Sequence, residues 1–417
     1  MKFNKDIILN KKLLLVMCLV VLISNVSFSL AAVVFHPRLT MIESYNDNIF
    51  LDSNAAESDW ITTTEPAFSL NADSKLFTFD LDYALRFRHY QKHSRENETH
   101  FSDVQRALLD AMVFPGRDFT LGLTEEVSRV FIDERAAAIA ENELVNRTNL
   151  FRSVVNPQYR WHVLSTFSAV VGYRFEKLDY ESAVGNDSHT HHFDLSLLKS
   201  ISTKTDIKFN VFQDDTTSTR RTGYQLRQVS VGLNRKFGPR WMVDIMGGLA
   251  QSELDTGSND QDSVGFVHID GPLAKNISLS LAVDRSFVLS VADGLMLRSQ
   301  ASTTLKSSGN NNIEAVIYGR EDRFLIEDRT DRSLGGGLTT VIPLKRKIAL
   351  VTRADLVKFY FLPGDEEALR YGVGVFMRYT GNKGLISLGD TIRVNNSNIE
   401  VNDYINNIAT LTVGLRF

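Results

Sequence analysis

A cluster of histidines is the first sign of possible chemistry in this sequence. His189, His191 and His192 lie close together, and two histidines at i and i+2 on a strand point to one side, where they could hold a metal ion. The cluster also lies at a polar loop-to-strand boundary, with Asp187 and Asp194 nearby. We favour incidental loop histidines over a metal site, because nothing else in the pattern requires a ligand set.

Paired acids are the second candidate. Asp80 and Asp82 are two residues apart, and Asp214 and Asp215 are adjacent. Paired carboxylates occur in the active sites of hydrolytic enzymes, but the water-facing inner wall of a barrel also carries such pairs. We favour the inner-wall interpretation. The sequence has no Gly-x-Ser-x-Gly elbow, no His-Glu-x-x-His helix and no Walker loop. We therefore predict a protein that is not an enzyme and uses no cofactor.

The elements that would position these residues are strands with one apolar face. Successive strand side chains point to opposite faces, so strict alternation gives one face for lipid and one for water. The clearest segment has apolar Phe77, Phe79, Leu81, Tyr83, Leu85 and Phe87 against Thr78, Asp80, Asp82, Ala84, Arg86 and Arg88.

The same alternation recurs at Phe167–Phe175, Ile277–Val283 and Tyr371–Tyr379, and turn signals separate the segments. Short and long connections alternate, as in outer-membrane barrels with tight periplasmic turns and longer external loops. About nine short turns imply 18 to 20 strands. We predict an all-β fold, a transmembrane antiparallel up-and-down β-barrel of about 18 strands (range 16–20). A soluble sandwich or a solenoid is the alternative, but the chain shows neither a linker nor a fixed-period repeat.

The first 31 residues have the three parts of a secretory signal. Four lysines precede an unbroken apolar run from Leu13 to Ile23, and small Ser29 and Ala31 suit a signal peptidase. We predict a cleavable signal peptide at 1–31 and one barrel domain at 32–417, with a retained anchor as the alternative. Cleavage would remove the only cysteine, Cys18, and change the formal charge from −4 to −7, which does not favour nucleic-acid binding.

The C-terminus also favours a membrane barrel. Counting back by twos from the last residue, the apolar face consists of Phe417, Leu415, Val413, Leu411 and Ala409, with polar or small residues between them. This pattern resembles the C-terminal signal by which the outer-membrane assembly machinery selects barrel proteins. We therefore expect that machinery, and outer-membrane lipid, among the partners of a protein exported to the outer membrane of a Gram-negative bacterium.

The segment after the signal resembles the opening of the β-barrel porin 2 family. The resemblance rests on Tyr45-Asn46-Asp47-Asn48-Ile49-Phe50, on Ser58-Asp59-Trp60, and on Glu65-Pro66-Ala67-Phe68-Ser69-Leu70. It implies an outer-membrane porin-like barrel, which in members associated with exopolysaccharide export serves as an exit for polymer. It carries over no functional residue. The Asn-Asp-Asn step also suits a simple turn, which we favour over sugar binding.

The predicted inner wall has charges of both signs. The candidate lumen-lining residues are Asp80, Asp82, Arg86, Arg88, Arg174, Glu176, Asp284 and Arg378. A balanced wall suits neutral or weakly charged solutes, including sugar polymers. We predict a porin-like channel, monomeric or trimeric, for hydrophilic solutes, and favour exported polysaccharide as cargo and periplasmic export proteins as partners. The alternatives are an outer-membrane hydrolase and a structural or adhesive barrel plugged by its own loops, with Asp133–Thr148 forming a short inward helix.

Overall fold

A computed structural model describes residues 32–133, 144–309, 311–327 and 329–417. The predicted signal peptide and the candidate plug helix at Ala136–Ala140 lie outside these residues. Among the described residues, no helix has the length and hydrophobicity needed to cross a bilayer.

The described chain is almost entirely strand. One four-residue helix, α1 (Phe101–Val104), and two 3-10 turns, Ser94–Glu96 and Glu400–Asn402, are the exceptions. The strands are β1 (Ala32–Asn46), β2 (Asp59–Asp73), β3 (Phe77–Leu85), β4 (Phe87–Tyr90), β5 (Gln105–Val113), β6 (Phe119–Phe131), β7 (Arg147–Leu164), β8 (Phe167–Tyr180), β9 (Ser188–Ser202), β10 (Thr205–Ser218), β11 (Tyr224–Phe237), β12 (Trp241–Leu254), β13 (Asn259–Ala274), β14 (Ile277–Ser290), β15 (Gly294–Ser308), β16 (Asn312–Phe324), β17 (Arg329–Lys345), β18 (Ile348–Leu362), β19 (Glu366–Thr380), β20 (Gly384–Ser397) and β21 (Tyr404–Arg416).

All strands belong to one antiparallel sheet that closes into a barrel. Apart from β4, each strand pairs with the next in sequence, β3 pairing with β5. β1 pairs with β21, with Arg38 opposite Arg416 and Asn46 opposite Ile408. β3 and β4 are separated by Arg86 and both pair with β2, one after the other along its length. β4 has no second neighbour among the described strands, so the closed ring consists of the other twenty strands. The predicted barrel is confirmed, at the upper limit of its range.

The two ends of the barrel differ. At one end, which we call the turn end, nine connections of two to five residues join the strands, and β1 begins and β21 ends there. At the other, which we call the loop end, connections of three to fifteen residues join them. This asymmetry is the one expected for periplasmic turns and external loops.

The outer face carries a continuous apolar band. Ile317, Leu334 and Leu388 are 61–66% exposed, and residues paired with them across the strands have the same orientation. Tyr371 and Tyr379 lie on this face of β19, eight residues apart, a separation that suits the aromatic girdles of a membrane barrel. The exposure of so many large apolar side chains on one face indicates contact with lipid.

Asp390 interrupts this band. It lies on the outer face of β20 between Leu388 and Ile392, opposite Val375, which lies midway between the two girdle tyrosines of β19. Within the described part of the chain, no hydrogen bond or ion pair involves its carboxyl group. An acidic side chain near the middle of the apolar band lowers barrel stability in a bilayer.

Candidate channel interior

The eight predicted lumen residues all lie on the inner side of their strands. Inner-side residues are identified as those opposite in parity to the exposed apolar band. The eight are Asp80, Asp82, Arg86, Arg88, Arg174, Glu176, Asp284 and Arg378.

Most of these charges are paired along the wall. Arg86 Nε lies 2.5 Å from Glu65, and Arg88 lies 3.0 Å from Glu98, which also contacts Arg129. In the same way Asp82 accepts a hydrogen bond from Arg38, Asp80 accepts one from Asn71, Glu176 lies between Arg152 and Arg174, and Asp284 contacts His268. Such pairs keep a polar wall compact and limit the field that any one charge projects into the lumen.

The upper ends of β14, β15 and β16 fold into the barrel. β13 separates from β14 at Gly265, beyond which residues 259–264 pair only with β12 and residues 286–290 only with β15. Gly265 has φ +154°, and a Cβ there would overlap the Met246 carbonyl, so only glycine permits this separation. We call residues 286–297 and 320–327 the flap.

The outer side of the flap packs on the inner side of β11–β13. Leu295 and Leu297 share a buried cluster with Tyr224, Leu226 and Val264, whose strands are not neighbours of β15. Both faces of the flap are therefore enclosed, since residues 292–297 are all buried. The lumen is narrowed at the loop end by a hydrophobic contact that does not depend on lipid.

Ion pairs hold the edges of the flap. Arg285 lies 2.5 Å from Asp262, and Arg323 lies 2.8 Å from the same carboxyl group and 2.5 Å from Asp260. At the tip, Arg221 Nε donates to the Ala292 carbonyl at 2.8 Å, and the Asn186 amide donates to the Val291 carbonyl. The flap is thus fastened to β13 and to two loop-end connections.

Residues beside and within the described ends of the 132–146 connection lie near the inner wall of distant strands. Phe131, at the end of β6, lines a cavity of about 520 Å³ together with inner-side residues of the distant strands β16 to β21, among them Tyr318, Phe359 and Tyr404. Val145, on the far side of the same connection, packs against Leu51, Tyr404 and Ile408. Phe131 and Val145 therefore both lie near inner-side residues of strands that are not neighbours of β6 or β7.

The opening motif fastens the seam where the barrel closes. Asn48 donates to the carbonyls of Asp52 and Ile405 and accepts from the Asp52 amide, at 2.8–3.1 Å. Asn406 donates to the Asn46 side chain and to the Asn48 carbonyl. Asn48 and Asn406 are almost fully buried, so the motif is a turn that is hydrogen-bonded to β21. These contacts occupy the polar groups that sugar binding would need.

A similar contact holds the loop between β4 and β5. Asp59, which is fully buried, accepts hydrogen bonds from the amides of Lys92 and His93 and from His93 Nδ1. His93 Nε2 lies 2.6 Å from Glu57. Hydrogen bonds to Glu57 and then to Asp59 raise the pKa of His93 above its usual value, because both carboxylates favour the imidazolium form.

The candidates for other chemistry do not assemble a site. Alternation along β9 directs His189 and His191 outward and His192 inward, and the described residues contain no group of three or more acids, histidines or cysteines placed for a metal ion. Asp214 contacts His192 on the inner wall, whereas Asp215 points outward.

Sequence reasoning missed the flap and its ion pairs. Leu295 and Leu297 alternate like lipid-facing residues, and nothing local distinguishes the two environments. Gly265 within an otherwise regular strand was the available signal, since an interior glycine often marks a bulge or a break in pairing.

Comparison with known proteins gives the fold. No family model matches the chain, and no curated protein matches it. The FrpB iron transporter from Neisseria meningitidis (F5-1 variant) is similar at 8% identity and TM-score 0.50, over 92% of this chain and 82% of that one. The siderophore receptor PirA from Pseudomonas aeruginosa (10%, TM-score 0.48, over 91% and 80%) and OccK9 (OpdG) from the same organism (11%, TM-score 0.44, over 92% and 98%) are also similar. At these identities the likeness shows an outer-membrane type of β-barrel.

Proposed function

We propose that this protein is an outer-membrane channel for hydrophilic solutes, and that its cargo is an exported capsular or extracellular polysaccharide. The observation that carries the proposal is the closed ring of twenty strands with an apolar outer band and a polar, charged inner wall. A bilayer accepts irregular or open sheet edges poorly, so a closed ring of this kind is suited to lipid.

The route that a solute would take through the barrel is inferred from the difference between the turn end and the loop end. At the turn end the inner-wall charges remain about half-exposed, as with the side chains of Arg38 (41%) and Asp82 (58%), so solute meets a hydrated entrance. At the loop end the flap and the described ends of the 132–146 connection narrow the passage. Conduction requires the flap to leave β11–β13 while the ring of strands stays closed.

The expected route to the membrane is the general one. A cleavable signal at 1–31 would direct export, and the C-terminal residues Leu411, Val413, Leu415 and Phe417 would present the final strand to the barrel assembly machinery. Leu411, Leu415 and Phe417 are exposed on the outer side, where such a contact can form. Membership of the β-barrel porin 2 family and contact with periplasmic export proteins belong to the same proposal.

Reconstitution tests the channel. The mature chain, refolded into planar bilayers, should give discrete conductance steps, and liposomes containing it should take up small sugars faster than protein-free liposomes. Heat-modifiable migration on gels verifies folding. A folded barrel that conducts no ions and passes no sugars at any voltage would refute the channel.

A loop-plugged structural barrel is the second candidate, favoured by the narrowing at the loop end. A structural barrel and a channel are distinguished by how their conductance responds when the flap is loosened. If the protein is a channel, variants that free the flap should increase its conductance. If it is a structural barrel, the same variants should not conduct.

A further inference from the structure

One sector of the inner wall, on β16–β20, is lined with flat aromatic rings. A Cβ at Gly389 would overlap the ring of Phe376, and one at Gly374 would lie 2.9 Å from the other edge of that ring. The Phe376 ring therefore lies along the wall over two glycines. Tyr318 lies over Gly335 in the same way, with its ring 2.8 Å from the position of a Cβ. Rings held flat expose one face to the lumen.

Arginines flank these rings. The Arg353 guanidinium lies 5.8 Å from the centroid of Phe376, and Arg378 is two residues further along the same inner face. Neither has an acidic partner within the described residues, and Arg378 Nε has no hydrogen bond there. Nearer the loop end, Arg370 lies over the ring of Phe359.

This sector is more basic than the rest of the wall. On β18–β20, between the levels of Tyr318 and Arg378, the inner side carries Arg353, Arg370, Arg378 and Arg393 against one acid, Asp355. Glu314, on the inner side of β16, is paired with Lys306. On the far side, β3 and β5 carry Asp80, Asp82 and Asp110. A solute near β18–β20 therefore meets a net positive charge, whereas acids on β3 pair with neighbouring arginines, as Asp82 does with Arg38.

The sector also has room. The cavity of about 520 Å³ beneath Phe131 runs over Tyr318, Asp355 and Phe359, and its size lies within the range of ligand sites. Sugar rings present C–H groups on a flat face, which match the electron-rich face of an aromatic ring. Carboxylate groups on such sugars would be bound by arginine through charge-assisted hydrogen bonds.

We propose that the inner wall of β16–β20 is a binding path for acidic glycans, in which the Phe376 and Tyr318 rings stack on sugar rings and Arg353 and Arg378 bind their carboxylates. The inference rests on the proposed channel function and names the class of its cargo.

The test measures binding to the refolded full-length mature chain in detergent, by calorimetry, with trigalacturonate and with neutral maltotriose. Wild type should bind trigalacturonate at least tenfold more tightly than maltotriose. Arg353→Gln with Arg378→Gln should lower trigalacturonate affinity about tenfold or more and leave maltotriose affinity unchanged, as loss of charge-assisted bonds predicts. Phe376→Leu should weaken both sugars.

Arg160→Gln is the matched control, because Arg160 is an exposed inner-side arginine on β7, nearly opposite. It should leave both affinities unchanged. Equal affinity for the two sugars in wild type, or equal losses for Arg160→Gln and the Arg353/Arg378 variant, would overturn the proposal. Folding of each variant is checked by heat-modifiable migration. A barrel that conducts but shows no preference for the acidic sugar would refute this inference and leave the channel intact.

Discussion

Loosening the flap should open the channel, and Leu295→Ala is the most direct way to loosen it. Leu295 is 1% exposed and belongs to the cluster that joins the flap to Tyr224 and Leu226. Its side chain is covered only while the flap is folded inward. Truncation therefore destabilises the closed arrangement more than the barrel itself.

The magnitude follows from burial. Replacing a fully buried leucine by alanine costs about 2–5 kcal/mol. Part of this is independent of the flap's position, since Leu289 on the paired strand β14 stays beside residue 295. We assign about 2 kcal/mol to the closed–open equilibrium, which raises the open fraction roughly thirtyfold at 1.4 kcal/mol per tenfold change.

Single-channel recording in planar bilayers measures that fraction. Ile317→Ala is the matched control, because Ile317 is an apolar side chain on the lipid face of the neighbouring strand β16 and is 66% exposed. It should leave the open probability unchanged. An open probability for Leu295→Ala equal to that of wild type, in a barrel that folds normally, would show that the flap does not control the passage.

Three further predictions concern other contacts. Hydrogen bonds to Glu57 and Asp59 raise the pKa of His93, so the β4–β5 loop should be held most firmly below pH 6.5 and released as pH rises through the raised pKa. Hydrogen exchange of residues 91–104 measures this release, and in His93→Gln its dependence on the His93 titration should be lost. Asp390→Leu should stabilise the barrel in lipid vesicles by about 1–2 kcal/mol in urea titrations, because it restores the apolar band. Asn48→Ala should destabilise it by about 2–3 kcal/mol in the same assay, since its partners lose hydrogen bonds in a buried site.

Each of these has a control. His162→Gln, on the exposed turn-end part of β7, should not alter the pH dependence of the loop, and a persistent pH response in His93→Gln would exclude His93 as its source. Asp255→Leu, in a loop-end connection, should not stabilise the barrel, and a loss of stability for Asp390→Leu would contradict the lipid-facing position. Asn54→Ala removes an exposed asparagine of the same loop as Asn48 and should have little effect on stability. An equal loss of stability in Asn54→Ala and Asn48→Ala would show that the Asn48 hydrogen bonds do not stabilise the seam.

Much of the barrel could be predicted because its strands obey a two-residue period. Tyr371 to Tyr379 alternates without a fault, and the structure places it as β19. The central estimate of 18 strands fell below the observed twenty because the first two strands are weak in pattern. Glu43 on β1 and Thr62 on β2 lie on the outer side, where the sequence criterion expects apolar residues.

The interior could be predicted only in part. Alternation assigns Arg174 and Asp284 to the side of their strands opposite the apolar band, because side-chain direction is a local property. The flap could not be found in this way, since Leu297 would alternate identically against lipid or against another strand. The arginine pair was hidden for a related reason: Arg353 comes close to Phe376 and Arg378 only through the pairing of β18 with β19.

Polysaccharide export is tested by deletion of the gene, with polysaccharide quantified separately in the medium, on the cell surface and in the periplasm. We expect loss of surface polymer with accumulation in the periplasm, restored by the full-length chain but not by one lacking Phe417. Unchanged polymer in all three fractions would contradict polysaccharide export.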